Sequence, residues 1–78
     1  MFRVSVLDIE NASFLFNEMA SSVVLPGEEG EFSVLDFHQP IVSYLKDGVV
    51  KINEKQSIPI KRGIARMQEN ELVVMVEK

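Results

Sequence analysis

Val24-Leu25-Pro26-Gly27-Glu28-Glu29-Gly30-Glu31-Phe32-Ser33-Val34-Leu35 is the stretch on which the reading of the fold turns. A short apolar piece, Ser22 to Leu25, runs into Pro26-Gly27, a pair in which proline presets φ and glycine accepts a left-handed backbone, so a reversal is expected there. Glu31 to Leu35 then reads as a second short strand, and two strands about a turn are the unit of an antiparallel sheet.

Working toward the N-terminus, Phe2 to Asp8 alternates, with Phe2, Val4 and Val6 on one face and Arg3 and Ser5 on the other, the period of a half-buried strand. The segment between is two-sided: Ala12, Leu15, Phe16, Met19, Ala20 and Val23 match the helical i, i+3, i+4, i+7 template behind an Asn11 cap. Toward the C-terminus, Ile41 to Lys46 follows the loop Asp36 to Pro40, and Asp47-Gly48 is a tight-hairpin signal into Val49 to Asn53. Ser57 to Lys61, Ile64 to Met67 and Leu72 to Val76 continue the series across polar or glycine-containing breaks. Short strands at regular spacing predict an all-β sandwich or barrel.

With 78 residues the chain has room for one domain, 1–78, and a domain this small is held by disulfides, a metal or a partner when its core falls short. There is no cysteine, and a single histidine, His38, cannot by itself build a zinc cluster. A partner surface is therefore the leading expectation. The composition, 46% hydrophobic and 26% charged, is that of a folding domain. A net charge of −4 with dispersed basic residues argues against nucleic acid, and an oligonucleotide-binding barrel also lacks aromatics interleaved with Arg and Lys. No apolar run approaches the roughly 20 residues that span a bilayer, and no signal-peptide core follows Met1; the expectation is a soluble, cytoplasmic chain.

Few residues suggest chemistry. His38 with Asp36 or a nearby glutamate has the types needed for general base catalysis, but no serine, cysteine or lysine sits in a nucleophile motif. Glu28, Glu29 and Glu31 offer oxygen ligands, yet their spacing lacks the alternating Asp/Asn ligands and closing glutamate of a calcium loop, so a solvated acidic turn is the plainer reading. Met67, Met75, Phe14, Phe16 and Phe32 are expected to fill the core. No cofactor and no metal site is expected. An interaction module and a small His38 enzyme stand as competing classes.

The Val24–Leu35 stretch resembles the signature of the epsilon subunit of F-type ATP synthases, roughly LPG, two variable residues, GEFGILP, a variable residue and HAPL. His38-Gln39-Pro40-Ile41 stands where that family has HAPL, Tyr44 to Ile52 is similar to its ALKPGVVRI segment, and Asn70 to Val76 resembles its final strand. The likeness covers essentially the whole chain. It implies a two-sheet β-sandwich of mostly antiparallel short strands, and it implies that Ala12 to Ala20 is extended despite its helical periodicity. Four departures, Glu18, Ser33, Asp36 and Arg62 in place of family glycines or a proline, suggest altered bulges or compensating changes nearby.

The resemblance also implies a role. In the family the sandwich sits at the foot of the central stalk, bound to gamma and resting on the c-ring, and turns with them. Glu31 matches a loop glutamate that faces the c-ring, and His38 matches the histidine of the adjoining loop near the gamma and c-ring contacts. Glu28 and Glu29 belong to the same interface by this reading. The implied part is non-catalytic: coupling of proton translocation to ATP synthesis, peripheral to the cytoplasmic side of a bacterial energy-transducing membrane. The family's C-terminal helical hairpin, which carries inhibition and in some members ATP binding, has no counterpart within these 78 residues, so this stretch is expected to couple without inhibiting and to bind no ATP.

Overall fold

A computed structural model describes the whole chain, Met1–Lys78. Nine strands follow in order: β1 (Phe2–Asp8), β2 (Ser13–Ala20), β3 (Ser22–Gly27), β4 (Gly30–Leu35), β5 (Ile41–Leu45), β6 (Gly48–Ile52), β7 (Gln56–Ile60), β8 (Arg62–Gln68) and β9 (Glu71–Glu77). Alternation drives them, as in β1, where Phe2, Val4, Val6 and Asp8 are buried while Arg3 is exposed. No helix is present, so the all-β expectation holds.

The strands pair along one path, β2-β1-β9-β8-β5-β3-β6-β7, with β4 also on β3. The β5–β3 link is a single residue pair, Gly27 with Leu45, flanked by Lys46 N–H to the Pro26 carbonyl at 2.9 Å and Glu28 N–H to the Tyr44 carbonyl at 3.1 Å. That narrow corner divides the path into a five-stranded sheet, β2-β1-β9-β8-β5, and a four-stranded sheet, β4-β3-β6-β7, giving a nearly closed sandwich. Every pair is antiparallel except β1 with β9. A core of 17 buried residues draws on both sheets, with Val4, Val6, Leu72 and Val74 from one and Leu25, Val34, Val50 and Ile52 from the other. The radius of gyration is 10.9 Å.

Residues 13–20 are strand, as the family likeness implied and against the helical period. A bulge explains the misleading pattern: Val6 pairs with Phe16 but Leu7 pairs with Phe14, leaving Leu15 without a partner. The extra residue turns Phe14 and Phe16 to opposite faces although they are two apart. Phe16 is therefore buried and Phe14 exposed, which corrects the expectation that both fill the core. Met75 is corrected too: β9 buries Leu72, Val74 and Val76, so its alternate residue Met75 points out, while Met67 is buried as expected and Phe32 packs half-buried against the core.

Two turn assignments also change. Pro26-Gly27 is the buried end of β3, without positive φ, and the reversal lies at Glu28-Glu29 inside the Gly27–Gly30 pair. Gly27 is required by crowding: a Cβ there would stand 2.8 Å from the Gly30 carbonyl oxygen. Asp47-Gly48 is not a hairpin, because β5 pairs with β8 and β3 whereas β6 pairs with β3 and β7. The chain crosses between sheets there, close against Pro26. Glu18, Ser33, Asp36 and Arg62 all have negative φ, so none stands where a glycine backbone is required, and the ladders run without a register shift at Glu18, Ser33 and Arg62.

Candidate interaction site

Sequence proximity already puts Glu28, Glu29 and Glu31 together; the fold adds the rest. The β3–β4 turn presents Glu28 and Glu29, and Glu31 follows at the start of the edge strand β4. Strand β5 then returns past β4 to meet Gly27, so the His38 loop that precedes it lies along the same surface. The result is an open groove of about 570 Å³ whose lining includes Glu28, Glu29, Glu31, Phe32, His38 and Tyr44. All four residues singled out by sequence thus line one groove.

The three glutamates are exposed and form no salt bridge; the ion pairs of the chain are Met1 ammonium with Asp36 and Arg62 with Glu77. The groove lining contains no lysine or arginine. Three carboxylates within four residues, unneutralised from within, make a local negative field that favours a cationic partner surface. No three His, Asp or Glu groups are placed to hold a metal ion.

His38 is half-buried, and its Nδ1 stands 2.8 Å from the Gln39 carbonyl, so Nδ1–H donates there and Nε2 is left as the acceptor of the neutral ring. Asp36 is committed elsewhere. Its carboxylate accepts from the Met1 ammonium and, at 2.9 Å, from Asn70 Nδ2, and these two contacts, the ammonium first, hold its pKa below the ordinary carboxylate value. The fold therefore does not assemble the Asp36–His38 pair, and the groove that His38 shares with the glutamates is open and not a deep pocket, so the enzyme reading is not favoured.

Sequence reasoning missed two features. One is Asn70, in the β8–β9 turn, which reaches the loop between β4 and β5: its Oδ1 accepts from Phe37 N–H at 2.7 Å. Nothing in the sequence couples positions 33 apart, although an asparagine in a two-residue turn between alternating segments is itself a hairpin signal. The other is an apolar row on the outer face of the larger sheet. Cross-strand pairing aligns Tyr44, Ile64, Met75, Leu7 and Phe14 in one line across five strands. Alternation marks Leu7 as an outward position, whereas Phe14 and Met75 were expected in the core, and only the bulge and the register bring the five into line.

Over residues 1–78 the chain matches the family described as ATP synthase, Delta/Epsilon chain, beta-sandwich domain. The chain belongs to that family. It is 40% identical over 67 residues to an ATP synthase epsilon chain of Campylobacter concisus, covering 81% of this chain and 52% of the relative. It is 35% identical over 77 residues to the epsilon chain of Pelagibacter ubique, covering 95% and 58%. The chain thus spans about half the length of the curated relatives it matches. The fold is similar to a chain in the central stalk/c-ring structure of the Tetrahymena thermophila mitochondrial ATP synthase, with a TM-score of 0.80 at 12% identity, covering 97% of this chain and 63% of that one. A chain of the Euglena gracilis mitochondrial enzyme aligns at a TM-score of 0.74 and 19% identity, covering 96% and 48%. At these identities the two structures speak to the delta/epsilon sandwich fold and to nothing finer.

Proposed function

We propose that this delta/epsilon sandwich is a non-catalytic adaptor of an F-type ATP synthase rotor, bound to gamma and seated on the c-ring, and that it couples proton translocation to ATP synthesis by binding alone. The observation that carries the reading is the convergence of Glu28, Glu29, Glu31 and His38 on one groove whose acid is not neutralised by any cation of the chain. Family membership supplies the context. Glu28, Glu29 and Glu31 at one end meet basic groups on the ring loops, where complementary charge mainly steers and orients docking. His38, at the other end of β4, lies toward gamma. The chain is peripheral, on the cytoplasmic side of an energy-transducing membrane; no helix is long and apolar enough to cross one.

Affinity capture from the native cell with the tagged full chain tests this. Recovery of gamma and c subunits, reduced by Glu31→Lys, is the expected result. Absence of ATP synthase subunits removes the adaptor reading, and undiminished recovery with Glu31→Lys removes the groove assignment.

A further inference from the structure

Two strand edges border the acidic groove without pairing to each other, since β4 pairs only with β3 and β5 only with β8 and the end of β3. Lys46 N–H bonds the Pro26 carbonyl and Asn53 N–H the Ser22 carbonyl, so Ser22, Val24 and Pro26 aim their backbone groups away from β4. In an antiparallel ladder their partners Leu35, Ser33 and Glu31 then aim theirs off the far edge of β4. The Leu35 carbonyl is taken by His38 N–H, whereas the backbone groups of Glu31 and Ser33 have no strand partner. On β5 the Tyr44 carbonyl accepts from Glu28 N–H, so the backbone groups of Tyr44 point away from β8, and those of Val42, two residues back, point the same way. Glu31, Val42 and Tyr44 all line the groove.

The other open edges are blunted. Strand β2 carries the bulge at Leu15 and, opposite buried Val4, the exposed charge of Glu18 on its inward side, while β7 is five residues long and contains Pro59. These are devices that keep an edge from accepting another strand. Strands β4 and β5 have no proline, no register shift and no charge on the inward side. Their inward residues Phe32 and Ile41 are half-buried against the core and line the groove, with Glu28, Glu29 and Glu31 beside them. At about 3.3 Å of rise, 4.8 Å between strands and 10 Å between sheets, one extended residue fills roughly 160 Å³. A groove of about 570 Å³ therefore holds about three to four extended residues.

We propose that the groove takes an extended segment of a partner chain as an added strand between β4 and β5, and that this segment alternates basic with apolar residues. This rests on the adaptor reading and deepens it, naming what the groove binds and how. The backbone N–H and C=O groups of Glu31, Ser33 and Val42 and the N–H of Tyr44 supply the main-chain hydrogen bonds that give strand addition its affinity. Side chains of an extended segment alternate between faces, so its apolar residues pack inward on Phe32 and Ile41 while lysine or arginine stands over the three glutamates. Charge selects this occupant: the lining has no lysine or arginine to receive an acidic segment, and like charges would repel it.

The probe is the hexapeptide acetyl-Val-Arg-Val-Arg-Val-Arg-amide, added to the isotope-labelled full chain, with residue-resolved amide hydrogen exchange and melting temperature as readouts. Saturating probe is expected to slow exchange at the N–H groups of Glu31, Ser33, Val42 and Tyr44 by at least about tenfold. The same peptide N-methylated at alternate backbone nitrogens, and a peptide with glutamate in place of arginine, should give no such protection. Ser33→Pro removes an N–H from the open edge without touching the β3 ladder, a position where an edge strand tolerates proline; it should melt near the parent and bind the probe at least about tenfold more weakly. Absence of protection at millimolar probe, parent-like protection by either control peptide, or parent-like binding in folded Ser33→Pro overturns the added strand. If Ser33→Pro does not fold, the N-methylated peptide decides. Where the added strand fails but Glu31→Lys still impairs capture of ATP synthase subunits, the adaptor reading survives. Protection by the probe with no such subunits captured leaves the added strand standing and removes the adaptor.

Discussion

Asn11 donates its side-chain amide to the Asp8 carboxylate at 2.9 Å, and the same carboxylate takes the backbone N–H of Glu10 at 3.0 Å and of Asn11 at 3.4 Å. Asp8 is the one buried charged residue, on the core-facing side of β1 where the chain leaves for β2. The Asn11 amide is the largest cause holding its pKa below the ordinary value; burial acts against it, and the two backbone donors and Lys78 add to the lowering. A carboxylate with a depressed folded pKa contributes stability that is fully present above its unfolded pKa and disappears as pH falls through the folded one. Asp36 has the same sign. Melting temperature should therefore be level through neutral pH and fall below about pH 4, where unfolded carboxylates take up protons. Scanning calorimetry from pH 7 to pH 2.5 checks this, and Asp8→Asn should flatten the acid limb; an unchanged limb would remove Asp8 as its cause.

Strand β9 offers a sharp test of inside against outside. Leu72 is fully buried and Met75 points out. Leu72→Ala should cost about 2–5 kcal/mol, a large fraction of the stability of so small a domain, whereas Met75→Ser should stay within about 0.5 kcal/mol. Urea denaturation of both variants measures the difference, and equal costs would mean the register of β9 is wrong.

Gly63 tests the close approach of β8 and β9. A Cβ at this position would meet the Met75 carbonyl oxygen at 2.6 Å and a Val76 methyl at 3.1 Å, and backbone does not yield as a flexible side chain does. Gly63→Ala is expected to destabilise by about 1–3 kcal/mol, the usual range for an overpacked site. A neutral substitution in the same denaturation assay would contradict that geometry.

The acidic groove predicts how docking responds to salt. Steering between exposed charges is screened over roughly 8–10 Å at physiological ionic strength, so on the proposed adaptor reading association with the c-ring should slow as salt rises while dissociation changes little. Glu31→Lys should reproduce the high-salt association rate at low salt. Stopped-flow or surface-capture kinetics distinguishes this from a uniform weakening.

Nucleotide should be a poor ligand for this surface. The groove sets Glu28, Glu29 and Glu31 against any triphosphate and supplies no lysine or arginine. Millimolar ATP is expected to leave the melting temperature of the 78-residue chain unchanged, since only a ligand that prefers the folded state raises it. A clear upward shift would require a phosphate site elsewhere on the sandwich.

Strand existence and the inward faces of most strands were legible in the chain itself, because period two in Phe2–Asp8 or Leu72–Val76 is a local property that survives any choice of partner. The acidic turn was equally readable, its three glutamates lying within four residues. Family likeness then settled what periodicity left two-sided at residues 12–20. Partnership was beyond local reading. One unpaired residue, Leu15, turned Phe14 out and Phe16 in, and the pairing of β6 with β3 and β7 instead of β5 made an expected hairpin a crossing between sheets. The groove needed β5 folded back to Gly27, and the loop at Phe37 needed Asn70 from 33 residues away, because hydrogen bonds and steric contacts between distant segments exist only once the strands have chosen their register.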